Sequence, residues 1–155
     1  MVQTALGAPL VVVRLGGSRY ALPMASVAEV GRVPGITRIP GLPAWVAGVA
    51  NWRGRVVAVL DLRPLLTAPA DDVNRRSRLV VLSHETHRIG LLVDAVLGST
   101  DGDGEATTTL SHLPQSAAAL LAGQLTDSEG PCGLLDVAAV LALSDRLPRT
   151  RRLAG

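Results

Sequence analysis

Few residues in this chain are of types and spacings that could do chemistry. His84-Glu85-Thr86-His87 sets two imidazoles three residues apart, a spacing that could chelate a metal from a helix. A helical zinc-protease motif needs the pair four apart with the glutamate as base. Here the pair flanks what reads as a hairpin turn and no third ligand is placed, so these are expected to be solvated turn residues. Asp101-Gly102-Asp103-Gly104-Glu105 resembles the start of a calcium loop. It lacks the third early acid, and the closing position that should be glutamate is His112, so a mobile acidic loop is expected instead. Cys132 lies beside Gly133 in an apolar segment and reads as a buried, inert thiol. There is no Gly-x-Ser-x-Gly elbow, phosphate-binding glycine–lysine loop or dinucleotide fingerprint. All 15 basic residues are arginine, so lysine Schiff-base and P-loop chemistry are excluded. No enzyme, cofactor or metal site is expected.

The 155 residues make one domain or two small, intimate halves. Hydrophobic residues at 48% against 18% charged exclude wholesale disorder. Aromatics are 2%, with no Phe, which argues against an aromatic-lined cofactor pocket or a base-stacking surface. A single cysteine excludes an intramolecular disulfide framework and fits a reducing compartment. A net charge of +2 gives no general argument for nucleic acid. Arg75, Arg76 and Arg78 cluster, but beside Asp71 and Asp72 they read as a solvated linker, so no nucleic-acid partner is expected. No basic region precedes an apolar run at the N-terminus, and the uncharged stretch 106–126 is broken by Thr, His, Pro, Gln and Ser. A soluble, cytoplasmic protein with no direct membrane insertion is expected.

The elements that would position any site come from an internal repeat. Leu10-Val11-Val12-Val13 overlies Leu79-Val80-Val81-Leu82, 69 residues on, and without a gap Arg19 then falls on Arg88, Leu22 on Leu91 and Val27 on Val96. A second match, 75 residues apart, sets Val59-Leu60-Asp61-Leu62 on Leu134-Leu135-Asp136-Val137 and Gly48 on Gly123. Each half opens with a strand hairpin and closes with a strand, an aspartate and an apolar helical turn. Asp61 and Asp136 are placed to accept the free N–H groups that open a helix. Strands are predicted at 9–16, 18–23, 36–40, 46–52 and 55–60, then 78–84, 87–93, 105–109, 119–126 and 131–135. Helical turns are predicted at 24–30, 62–66, 93–98 and 136–143. Gly54 punctuates a turn in Trp52-Arg53-Gly54-Arg55. The fold class is mainly β: two pseudo-symmetric five-stranded barrels packed together, with one unit at about 8–66, a linker at 67–77, a second unit at about 78–143 and a basic tail at 144–155.

One stretch carries a family resemblance. Pro43-Ala44-Trp45-Val46-Ala47-Gly48-Val49-Ala50-Asn51-Trp52-Arg53-Gly54, followed by Val57-Ala58-Val59-Leu60-Asp61-Leu62-Arg63, resembles the hallmark segment of the CheW-like coupling proteins of bacterial chemotaxis. Val27-Ala28-Glu29-Val30, Ile89-Gly90-Leu91-Leu92-Val93-Asp94 and Gly133-Leu134-Leu135-Asp136-Val137 fit as well, so the resemblance spans residues 8–143. It implies two SH3-like barrels and a non-catalytic adaptor. Its implied partners are the regulatory domain of a CheA-type histidine kinase and the cytoplasmic tip of a chemoreceptor, a receptor helix pair lying in a groove between the barrels. The alternatives are a CheW-like scaffold in another receptor–kinase pathway, such as pilus motility or development, and a nucleic-acid-binding SH3-like barrel. Carried over by position, Glu29 and Arg53 are expected to pair on the face of the first barrel. Asn51 and Gly54 would shape the turn that presents Arg53. Val27, Gly48 and Trp52 would join the partner surface, with a tight backbone approach the other role for Gly48 and a place in the core the other for the Trp52 ring. Trp52 departs from the usual Leu, Ala58 from Pro, Ala47 from Lys, and Gly31-Arg32 reverses the usual Arg-Gly order.

Overall fold

A computed structural model describes residues 8–84, 87–102, 105–108 and 110–147. The first repeat forms β1 (Leu10–Leu15), β2 (Ser18–Pro23), β3 (Val27–Arg32), β4 (Ile36–Thr37), β5 (Val46–Trp52) and β6 (Arg55–Leu60). The second forms β7 (Arg78–His84), β8 (His87–Val93), β9 (Ala95–Thr100), β10 (Glu105–Thr107), helix α1 (Gln115–Ala118), β11 (Leu121–Asp127), β12 (Gly130–Leu135) and helix α2 (Val137–Ser144).

The twelve strands make two six-stranded sheets, ordered β10-β11-β12-β2-β1-β9 and β3-β7-β8-β6-β5-β4. Each repeat lends its opening hairpin to the other repeat's sheet. The repeat survives in register: Ala58 pairs with Ile89 and Val59 with Gly90 across the parallel β6–β8 contact. Gly133 pairs with Tyr20 and Leu134 with Ala21 across β12–β2, which are the same positions shifted by the two repeat offsets. Asp61 N–H donates to Trp45 O and Asp136 N–H to Leu120 O, both at 2.8 Å. The expected division into 8–66 and 78–143 therefore follows the chain, while the sheets are built across it.

This exchange explains why β1 and β7 are apolar without alternation. Each lies between two cores, so both of its faces are buried. Val11, Val13 and Leu15 join Val80, Leu82, Ile89, Leu91, Leu60 and Leu135 in a central cluster between the sheets. Leu10 and Val12 turn the other way, toward Ala21, Leu125, Cys132 and Leu134. Leu79 and Val81 likewise face Ala50, Val59 and Leu92. Each fully buried leucine contributes about 1.5–3 kcal/mol of transfer free energy. α2 closes the central cluster with Val140, Leu141 and Leu143, and Asp136 caps it by accepting from Ala139 N–H at 3.2 Å.

Three local expectations are corrected and one short helix is added. The segment predicted as a helical turn at 24–30 is helical only at Met24–Ser26; from Val27 it is β3, where a register shift between Val27 and Glu29 turns Val27 toward the central cluster and leaves Glu29 and Gly31 on the other face. The turn predicted at 93–98 is β9 from Ala95. Both segments are edge strands, held by pairing with β7 and β1 that no local periodicity reports. They bring each sheet to six strands where the repeat had been counted as five. The strand predicted at 36–40 stops at Thr37, short of Pro40 and Gly41, and α1 was not anticipated. Glu85 and Thr86, Asp103 and Gly104 of the acidic loop, Thr109, and 148–155 of the tail lie outside the described residues.

Asp61 takes a larger part than a cap. Arg63 is 6% exposed, and its Nε and Nη2 donate to the two Asp61 oxygens at 2.9 Å. Its Nη1 donates to Asp94 Oδ1 at 2.8 Å and to Asp71 O at 2.9 Å. Asp94 Oδ2 accepts Gly16 N–H at 2.6 Å. One buried guanidinium thus ties the end of β6, the end of β8, the β1–β2 turn and the linker together.

Candidate functional site

The β5–β6 hairpin turns on Arg53 and Gly54, whose φ values of 51° and 82° are those of a type I′ turn. Asn51 Oδ1 accepts Gly54 N–H at 2.9 Å and closes the turn, as expected of these two residues. A non-glycine residue in this conformation costs about 1–2 kcal/mol, which contacts of the Arg53 side chain must offset. Arg53 Nε pairs with Glu29 Oε1 at 2.5 Å, and the guanidinium carbon stands 5.8 Å from the centre of the Trp52 ring, within cation–π range. The sequence reading of a Glu29–Arg53 pair therefore has its geometry.

Glu29 accepts more than one donor. Trp52 Nε1–H donates to Oε2 at 3.0 Å and Arg88 Nη1 reaches the same oxygen at 3.4 Å. The indole hydrogen bond, followed by the charges of Arg53 and Arg88, holds the Glu29 carboxyl below the usual carboxylate range against some desolvation. Arg53 is 72% exposed and its two terminal nitrogens carry no ion pair or hydrogen bond among the described residues. It is held by one edge and offers the other, a fork suited to a carboxylate.

Trp52 faces across the hairpin onto β3. A Cβ on Gly31 would overlap its Cη2 atom and stand 3.1 Å from Cζ2. The departures at Trp52 and at Gly31-Arg32 are thus one feature: the glycine makes room for the ring. Gly48 and Val27 do not join the cluster. Gly48 is buried with φ 146°, and a Cβ there would stand 2.8 Å from the Thr37 carbonyl carbon, so the close-approach role is the one its geometry carries. Val27 opens β3 opposite Leu82 and packs against the central cluster. Residue-by-residue reading missed Arg88 and Gly31. The signal for Arg88 was its repeat partner, Arg19.

The equivalent end of the other sheet is built differently. Arg19 Nη2 pairs with Asp127 Oδ1 at 2.7 Å and donates to Gly130 O at 2.9 Å, where Asp127 is the repeat equivalent of Trp52. Gly98 stands in the place of Glu29. With no ring to fill it, this end is an open cavity of about 530 Å³ walled by Val12, Arg14, Leu97 and Glu129 among others. Cys132 is buried on β12, and burial pushes its thiol up to about 11. In the backbone register, His84 lies opposite His87 at the end of the β7–β8 hairpin. No helix among the described residues is long and apolar enough to cross a membrane.

Two interleaved β-sheets, a filled core between them and a charged cluster at one hairpin end define a mainly β protein with a built surface site and only two short helices. The CheW-like domain model matches residues 9–145, and the chain belongs to that family. It is 39% identical over 85 residues to Protein PilI of Pseudomonas aeruginosa, covering 55% of this chain and 48% of that protein. It is 35% identical over 85 residues to Protein FrzA of Myxococcus xanthus (55% and 53%) and 30% over 88 residues to Chemotaxis protein CheW of Bacillus subtilis (57% and 56%). These alignments span about half the length of the curated relatives. The crystal structure of scaffolding protein TtCheW from Thermoanaerobacter tengcongensis superposes with a TM-score of 0.75 at 23% identity, covering 85% of this chain and 86% of that one. The architecture is therefore two packed SH3-like β-units.

Proposed function

We propose that this chain is a non-catalytic adaptor that couples a chemoreceptor to a CheA-type histidine kinase in bacterial chemotaxis signalling. The observation that carries this reading is the Glu29–Trp52–Arg53–Arg88 cluster at one end of a CheW-like fold: an exposed guanidinium fixed by a carboxylate on a rigid hairpin, with no reacting group beside it. Coupling requires one rigid body that touches two partners, and the Arg63 network and central core supply the rigidity. In this reading the regulatory domain of the kinase and the cytoplasmic tip of the receptor are the partners, and the protein works in the cytoplasm. Asn51 and Gly54 set the turn, and Arg53, with Trp52 and Glu29 behind it, meets the partner.

A second reading, an adaptor in a receptor–kinase pathway with another output, is favoured by the Trp52–Gly31 pairing, which reshapes the face around Glu29. PilI and FrzA, at 39% and 35% identity, also carry names other than CheW. The test is co-sedimentation with receptor-bearing membranes. Arg53→Ala should lower the bound fraction several-fold while the protein stays folded; undiminished binding by a well-folded variant contradicts the assignment.

A further inference from the structure

Arg75 and Arg76 lie in the exposed stretch 69–76 that joins the two repeats, but the charge of this linker and of Arg78 beside it is not balanced by ion pairs among the described residues. Arg78 opens β7 directly opposite Arg32 at the end of β3, a like-charge cross-strand pair that costs stability unless an anion lies near. Arg78 Nη1 donates to the carbonyls of Arg75 and Ser77 at 2.7 and 2.8 Å, which fixes the guanidinium without neutralising it. The loop before it is ordered: Ser77 is buried, its Oγ accepts Asn74 N–H, and Asn74 Oδ1 accepts Arg76 N–H at 2.8 Å. None of the four arginines has an ion pair among the described residues. The carboxylates of Asp71 and Asp72, alongside, form no ion pair with these arginines among the described residues, while their main-chain carbonyls accept from Arg63 and Asn74. Val73 and Val30, 52% and 44% exposed, flank the ridge, and β3 is the edge strand of its sheet.

We infer that this ridge, Arg32 with Arg75, Arg76 and Arg78, is a docking surface for an acidic, extended segment of a partner protein. Four unneutralised guanidinium groups call for carboxylates, the two valines call for interleaved apolar side chains, and the open edge of β3 can align a strand-like backbone. Nucleic acid fits less well, because no aromatic ring stands at the ridge to stack a base. The surface is separate from the Glu29 cluster and does not depend on the adaptor reading.

The experiment is fluorescence anisotropy of a short labelled peptide of alternating Glu and Val, at low salt. Binding is expected to weaken about three- to tenfold in Arg75→Gln/Arg76→Gln, whose thermal midpoint should match the parent. Arg32→Gln, tested separately, should weaken it too, and Arg53→Ala should leave it unchanged. The inference is overturned by no binding at low salt, by equal binding of a Ser-Val peptide, or by indifference to the arginine changes. Tighter binding of a DNA oligonucleotide or of phosphatidylglycerol vesicles than of the peptide also overturns it.

Discussion

Gly31→Ala should be costly only because of Trp52. The added methyl would overlap the indole Cη2 and lie 3.1 Å from Cζ2, where carbon atoms rest at about 3.5–4.0 Å. The ring cannot retreat freely, since its N–H is committed to Glu29 and its face to Arg53. Overpacking of this kind costs about 1–3 kcal/mol. The backbone at Gly31 has no left-handed φ, so alanine itself fits the strand and should there be favoured over glycine by about 0.5–1 kcal/mol. A double-mutant cycle separates the two effects. Gly31→Ala is expected to destabilise the parent by about 1–3 kcal/mol and to be neutral or stabilising in a Trp52→Leu background, a coupling of about 2 kcal/mol. Urea denaturation followed by circular dichroism reads both, independently of the lost fluorophore. An equal cost of Gly31→Ala in both backgrounds would refute the packing argument.

Two further outcomes follow from the charge networks. Arg63→Ala leaves Asp61 and Asp94 without their shared cation in a nearly buried site, so it should cost about 3–5 kcal/mol and lower the melting temperature by about 10 °C; a loss under about 1 kcal/mol contradicts the lock. Trp52→Phe removes the largest influence holding the Glu29 carboxyl down, so its NMR-detected pKa should rise toward the ordinary value. A carboxyl depressed in the folded state adds stability above its unfolded pKa and loses it as pH falls through the folded one, so the parent should keep this contribution to lower pH than the variant. An unmoved Glu29 titration contradicts that order of causes.

The repeat, the fold class and most strands were legible because apolar runs and turn residues report them locally. Glu29, Asn51, Arg53 and Gly54 were found by resemblance, and Gly54 also by turn chemistry. What the sequence could not show was set by contacts distant in the chain. The exchange of hairpins between sheets leaves no local trace, because β2 and β8 look the same whichever β6-like strand they meet. The edge strands at 27–32 and 95–100 owe their conformation to β7 and β1. Asp61 read as a helix cap because the network it enters through Arg63 is completed by Asp94, 31 residues beyond that arginine. Gly48 looked equally suited to contact or close approach until Thr37 was placed above it.

The central claim is tested most directly by calorimetric titration of this protein against the regulatory domain of a CheA-type kinase from the same cells. The adaptor account predicts saturable 1:1 binding at about micromolar Kd, some 8 kcal/mol, weakened by substitution at Arg53 or Glu29. No heat of binding at concentrations well above that range, with a folded protein, would contradict it.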